Sequence, residues 1–272
     1  MRRVVLRVRA YAVEDVLDEL LPRLADGVHE RDAPHGFAEL VAHALTGPLP
    51  PREELVALAG DALVFLDESD VPVDWHERRR LDGEGGVAIG GRFWLRSPLD
   101  PPPDAGLLDI VIERSTAFGT GAHPTTRMCL ALLTDIEPAA GFADLGCGAG
   151  ALAIGAARLG FQPVVAVDRD GPSVEAARAN ARRNGVEVRT EVLDLLVEPA
   201  PAARVVAANV PVAVHAGVCE LLPGDVEQLI ASGIRPQARD EVLARYATKG
   251  LRCRDEREEG GWLALAFERD HD

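Results

Sequence analysis

The segment Ala143-Asp144-Leu145-Gly146-Cys147-Gly148-Ala149-Gly150 sets three glycines at alternate positions, after an apolar run and before a helical pattern. Glycine lets the backbone turn sharply and approach a ligand with no Cβ in the way. The next apolar run ends in Asp168, a carboxylate placed to accept hydrogen bonds from a ribose diol. Together these residues suit an adenosine-containing cofactor. They do not choose which one, because Gly146-Cys147-Gly148-Ala149-Gly150-Ala151 also fits the G-x-G-x-x-A variant of a dinucleotide fingerprint. Asp144 weighs against a dinucleotide, since a carboxylate so close would oppose an anionic pyrophosphate. It suits the cationic, amino-acid end of S-adenosylmethionine.

These residues need a strand before the loop, a helix after it and a second strand ending at Asp168. The pattern supplies them: a strand at Gly141–Leu145, a helix at Ala151–Leu159 and a strand at Pro163–Val167. A helix follows over Pro172–Arg183, with Pro in its first turn and Gly185 as its stop. Val186–Asp194, Arg204–Asn209 and Val226–Ile234 hold further strands, and Gln237–Lys249 a helix. Leu251–Arg257 and Trp262–Glu268 meet across Gly260-Gly261, a hairpin signal. Alternating strands and helices imply a doubly wound parallel sheet. A sheet of this kind that ends in an antiparallel hairpin is the outline of a class I methyltransferase.

Upstream, residues 1–72 read as a small α+β domain. Val4–Val8, Gly27–Arg31, Phe37–Ala44 and Ala62–Leu66 are strand candidates. Val13–Leu24 and Pro51–Leu58 are helix candidates. A β-α-β-β-α-β order is ferredoxin-like, although the Phe37–Ala44 run also suits a helix. Residues 73–105, rich in Gly, Pro and charge with one strand-like piece at Gly91–Leu95, read as a linker or as a strand laid against the second domain, and residues 106–272 as the methyltransferase domain.

With 272 residues, 47% of them hydrophobic, the chain can bury a proper core. It has no apolar run of transmembrane length and no signal-peptide block. The four cysteines, Cys129, Cys147, Cys219 and Cys253, show no metal-ligand spacing, so no metal site is expected and the thiols read as reduced in a cytoplasmic protein. A formal charge of −15 opposes direct nucleic-acid binding and suits a basic partner.

The segment Thr116-Ala117-Phe118-Gly119-Thr120-Gly121-Ala122-His123-Pro124-Thr125-Thr126 is dense in small residues and hydroxyls, and Pro124 with its threonines reads as a helix start. It closely resembles the F-G-T-G-x-H-P-T-T signature of the ribosomal protein L11 methyltransferase family. The resemblance runs from about Asp74 to the C-terminus. It takes in the glycine loop, Asn180, Asn184-Gly185, Ala208-Asn209 and Leu229-Ile230-Ala231-Ser232-Gly233-Ile234. It implies methylation of amino groups on ribosomal protein L11, a basic protein, with S-adenosylmethionine as donor. The implied cofactor contacts are Thr126, Asp144, Gly146, Gly148, Asp168 and Asn209, with Phe118 and Thr120 walling the methyl-donor end. The small N-terminal domain would recognise the substrate. A monomer is expected. One departure stands out: the family usually has an aliphatic pair after the asparagine, where this chain reads Asn209-Val210-Pro211-Val212.

Methyl transfer from a sulfonium is an in-line displacement, with donor carbon and acceptor nitrogen about 3 Å apart. A lysine acceptor, with a usual pKa of about 10.4, must first lose a proton. A desolvated pocket beside a cation promotes that loss, so no dedicated base is required. Asn209 could accept a hydrogen bond from the amine and aim its lone pair, or serve only the cofactor or a helix cap. His123 is read as ordering its loop by hydrogen bonding rather than as a base, and Cys147 as a space-filler. The alternatives are a same-fold N-methyltransferase acting on another protein or a metabolite, a nicotinamide-dependent oxidoreductase, and a binding module with a vestigial site.

Overall fold

The structure is a computed structural model that describes residues 2–24, 28–33, 36–43, 48–70, 86–98, 100–103, 106–113, 123–138 and 141–270. It divides into two compact units, Met1–Glu84 and Gly85–Asp272.

The first unit runs β1 (Arg2–Arg9), α1 (Val13–Leu20), β2 (Val28–Ala33), β3 (Phe37–His43), α2 (Arg52–Ala59) and β4 (Leu63–Asp70). Its antiparallel sheet has the order β2-β3-β1-β4, the ferredoxin-like arrangement. Alternation on β1 sends Val4, Leu6 and Val8 into a core with Val13, Val16 and Leu20 of α1 and Leu55 and Ala59 of α2. The Phe37–His43 segment is a strand because both of its edges pair, with β1 and β2. Helix α1 stops four residues short of the expected Leu24. Pro22 has no N–H to continue it, and a 3-10 turn over Leu21–Arg23 follows.

In the second unit, β8 (Phe142–Leu145), β9 (Val164–Asp168), β10 (Arg189–Val192), β11 (Val205–Asn209) and β12 (Gln228–Ile234) pair in parallel. Strand β14 (Trp262–Arg269) then joins β12 antiparallel, and β13 (Leu251–Glu259) joins β14. The full order is β10-β9-β8-β11-β12-β14-β13. The central strands β8, β9 and β11 are apolar apart from Asp144, Asp168 and Asn209 toward their carboxyl ends, as a sheet covered on both faces requires. Helices α3 (Pro124–Leu133), α4 (Ala151–Leu159), α5 (Gly171–Arg183), α6 (Val212–Leu221) and α7 (Arg239–Ala247) are interleaved along the chain. Gly260 and Gly261, at φ +59° and +73°, make the tight hairpin turn.

Three elements depart from expectation. The second unit begins at Gly85 rather than 106. Within the segment read as linker or packed strand, β5 (Val87–Ile89) and β6 (Phe93–Arg96) form a small sheet with β7 (Leu108–Val111). Ile89, Phe93, Leu95 and Ile110 are buried in one core with Leu130 and Ile154. Helix α6 had no counterpart in the pattern: its Val212-Ala213-Val214-His215-Ala216-Gly217-Val218-Cys219 run is nearly all apolar and shows no helical period.

Candidate active site

The carboxyl ends of β8, β9 and β11 converge at the point where strand order reverses, the usual binding crevice of an open α/β sheet. Thr126, Asp144, Gly146, Cys147, Gly148, Ala151, Leu152 and Asn209 line a small cleft there. The expected residues Thr126, Asp144, Gly146, Gly148 and Asn209 thus share one cavity. Phe118 and Thr120 lie outside the described residues.

The glycine loop is held from behind. Gly146 N and Cys147 N donate to Val167 O at 2.8 and 2.9 Å, and Gly150 N donates to Cys147 O at 2.8 Å. Gly146 needs to be glycine on two counts: its φ is +74°, and a Cβ would lie 2.4 Å from Val210 Cγ1. The Asp168 carboxylate accepts from Gly148 N at 2.9 Å and from Asp170 N at 3.0 Å. Asp168 therefore pins the loop to the end of β9, and the remaining lone pairs of its oxygens are what it could offer a ribose.

Asp144 is 1% exposed. Its Oδ2 accepts from Ala153 N, in the first turn of α4, at 3.0 Å. Its Oδ1 is buried with no hydrogen-bond partner among the described residues, and so is Thr126 Oγ1. Burial pushes the Asp144 carboxyl up to about 7 and Asp168 adds to the rise, while the Ala153 N–H opposes it. Two unsatisfied oxygens on one small cavity are costly unless a donor arrives. A cationic group with N–H bonds would satisfy both and restore the carboxylate. An anionic pyrophosphate has no proton to give Asp144 Oδ1 and would be repelled by the carboxylate.

His123 caps α3: its Nδ1 accepts from Thr125 Oγ1 at 2.7 Å and from Thr125 N at 3.4 Å. Its ring meets Trp262 edge-on, 5.2 Å between centroids, and Arg235 stacks 3.5 Å over the Trp262 ring. Burial lowers the His123 pKa to about 4, with Arg235 and Arg127 adding to the fall. A neutral capping imidazole agrees with a loop-ordering residue. Cys147 is buried, and burial raises its thiol pKa well beyond the range of a nucleophile.

Two roles were not read from the sequence, which named Asn180 and Asn184 only within the family resemblance and His215 not at all. Asn180 on α5 donates from Nδ2 to Ala149 O in the glycine loop at 3.0 Å and accepts on Oδ1 from Glu113 N at 3.0 Å. One turn later, Asn184 brackets Val111, accepting from its N–H and donating to its carbonyl. This pair ties the glycine loop to β7 and the residues after it. Their spacing of four on one helix face was the available signal. The second role is that of His215 on α6, whose ring bonds to Tyr246 and Ser232.

Residues 71–270 match the family model "Ribosomal protein L11 methyltransferase (PrmA)". This chain belongs to the ribosomal protein L11 methyltransferase family. The ribosomal protein L11 methyltransferase of Dechloromonas aromatica is 36% identical over 234 residues, 80% of this chain and 77% of that one. The one from Burkholderia multivorans is 36% identical over 231 residues, covering 80% and 75%. A solved structure, the ribosomal protein L11 methylase of Lactobacillus delbrueckii subsp. bulgaricus, superposes with a TM-score of 0.61 at 23% identity. It covers 69% of this chain and 98% of that one, a likeness of fold. Among the described residues, no helix is long and apolar enough to cross a membrane.

Proposed function

We propose that this chain is an S-adenosylmethionine-dependent protein methyltransferase that acts on amino groups, lysine side chains or the N-terminus, of ribosomal protein L11. The observation that carries this reading is the cavity with two unpaired buried oxygens, Asp144 Oδ1 and Thr126 Oγ1, in a member of this family. The residues fit the cofactor. Asp144 and Thr126 would take its ammonium end, the Gly146 and Gly148 backbone its flank, and Asp168 its ribose, with Phe118 and Thr120 walling the methyl end. When bound, the cofactor supplies an electrophilic methyl group on a cationic sulfonium. Asn209, at the end of β11 and on the cavity wall, accepts a hydrogen bond from the acceptor amine and turns its lone pair inward. Proton loss from the amine is left to desolvation, because His123 is neutral and engaged as a cap. The formal charge of −15 favours encounter with a basic partner. In this reading the protein works in the cytoplasm as a monomer, and the first unit recognises L11.

The test is incubation with methyl-labelled S-adenosylmethionine and purified L11, followed by mass spectrometry. Lys249 is the one lysine of the chain, so self-labelling on lysine is confined to a single site. Label on L11 amino groups is expected. Intact cofactor binding with unlabelled L11 would refute the acceptor and leave an N-methyltransferase of other specificity, with Val210-Pro211 as the first suspect. Binding of NAD and not of S-adenosylmethionine would refute the chemistry itself.

A further inference from the structure

We propose that His215, outside the cofactor cavity, is a positioning residue that holds the Asn209-Val210 turn through a shared carbonyl, Ser232 O. The inference rests on the Asn209 role given above for its catalytic consequence, but not for the placement.

Ser232 faces Asn209 in the β11–β12 register. Its carbonyl accepts from Val210 N at 3.1 Å and from His215 Nε2 at 3.0 Å, which uses both of its lone pairs. Its hydroxyl donates to Leu263 O at 2.7 Å, fastening this strand end to β14. A carbonyl only accepts, so His215 Nε2 carries the proton. In the neutral ring Nδ1 then accepts, and the Tyr246 hydroxyl, 2.8 Å away on α7, donates to it. His215, Ser232 and Tyr246 are each fully buried, so no water competes. Burial lowers the His215 pKa to about 4, against the opposing pull of the Ser232 and Val210 backbone. The positive charge of Arg245 also disfavours protonation.

Val210 itself has little room. A Cβ on Gly233 would lie 2.2 Å from Val210 O, and one on Gly146 would lie 2.4 Å from Val210 Cγ1. The turn after Asn209 is therefore wedged between the cofactor loop and the end of β12, and the shared carbonyl sets its height. Tyr246 selects the tautomer that can make this bond. A displacement of about 1 Å at a reacting group can cost on the order of 100-fold in rate, so a group that does not line the cavity can matter.

The first measurement is the amide spectrum of the unliganded protein. Tyr246→Phe and His215→Ala should shift and broaden the Asn209 and Val210 signals, while His215→Gln, which keeps a donor for Ser232 O, restores them. The second is a double-mutant cycle on turnover with S-adenosylmethionine and L11. His215→Ala should lose about tenfold in kcat in the native background and almost nothing beside Asn209→Ala. If His215→Ala does not fold, Tyr246→Phe takes its place in the cycle. Unmoved Asn209 and Val210 signals with only a lowered melting temperature overturn the proposal, as do losses that multiply. Full activity in Asn209→Ala would refute the Asn209 role alone, and the spectra would still decide the placement.

Discussion

Replacing Asp144 by Asn should stabilise the unliganded protein and weaken its cofactor binding. In the folded state burial holds the carboxyl at about 7, against an ordinary 3.8. The folded form therefore keeps its proton where the unfolded chain has lost it. The corresponding stabilisation is complete below about pH 4 and disappears as pH rises to about 7. Full ionisation costs the fold about 4 kcal/mol, and the loss between pH 5 and pH 8 is about 3 kcal/mol. Asn carries no such penalty and can still accept from Ala153 N. For a unit of this size about 3 kcal/mol is roughly 6–12 °C in melting temperature. Thermal melts of native protein and Asp144→Asn at pH 5 and pH 8 should diverge by that amount, with the gain confined to the higher pH. The same substitution removes the negative partner of an ammonium group. Calorimetry at pH 8 should show S-adenosylmethionine binding weakened by about 1.5–3 kcal/mol. Equal melting differences at the two pH values would refute the argument, because the carboxylate would then be stabilised in place rather than desolvated.

Asp168→Ala removes the acceptor for Gly148 N and Asp170 N as well as a ribose contact, and calorimetry should show cofactor affinity reduced by roughly 1.5–3 kcal/mol; unchanged affinity would misplace the site. The His123 imidazole, with its pKa at about 4, should show no titration by NMR between pH 5.5 and 8, and a midpoint near 6.5 would contradict the buried cap. Asn180→Ala leaves Ala149 O and Glu113 N without their side-chain partner, so denaturant unfolding should show a loss of about 2–4 kcal/mol. A loss below ~0.5 kcal/mol, the level of an ordinary surface change, would mean that the clamp is not needed.

The glycine loop, Asp168 and the hairpin at Gly260-Gly261 were legible in the sequence because each rests on a local demand. A positive φ needs glycine, and a run of apolar residues needs a buried strand, whatever surrounds it. The first unit was legible for the same reason, since alternation on β1 and an apolar stripe on α1 name their own faces. Between 86 and 103 Gly, Pro and charge suggested a linker, and the other reading, a strand laid against the second domain, is the one the structure supports. Phe93 and Leu95 are core residues there because β7 pairs in parallel with β6 across the intervening loop. Helix α6 was invisible because a helix apolar on nearly every side has no period to read. The sequence also nominated Thr126 and Asp144 without their condition. Only tertiary packing brings them to one cavity and buries Asp144 Oδ1 and Thr126 Oγ1 with no hydrogen-bond partner among the described residues. The same is true of Asn180, whose partners lie 31 and 67 residues away, and of His215, bonded to Ser232 and Tyr246 across 17 and 31. Residue type sets which hydrogen bonds a side chain is able to make. Which of them are made, and which are left open for a ligand, depends on what the fold lays beside it.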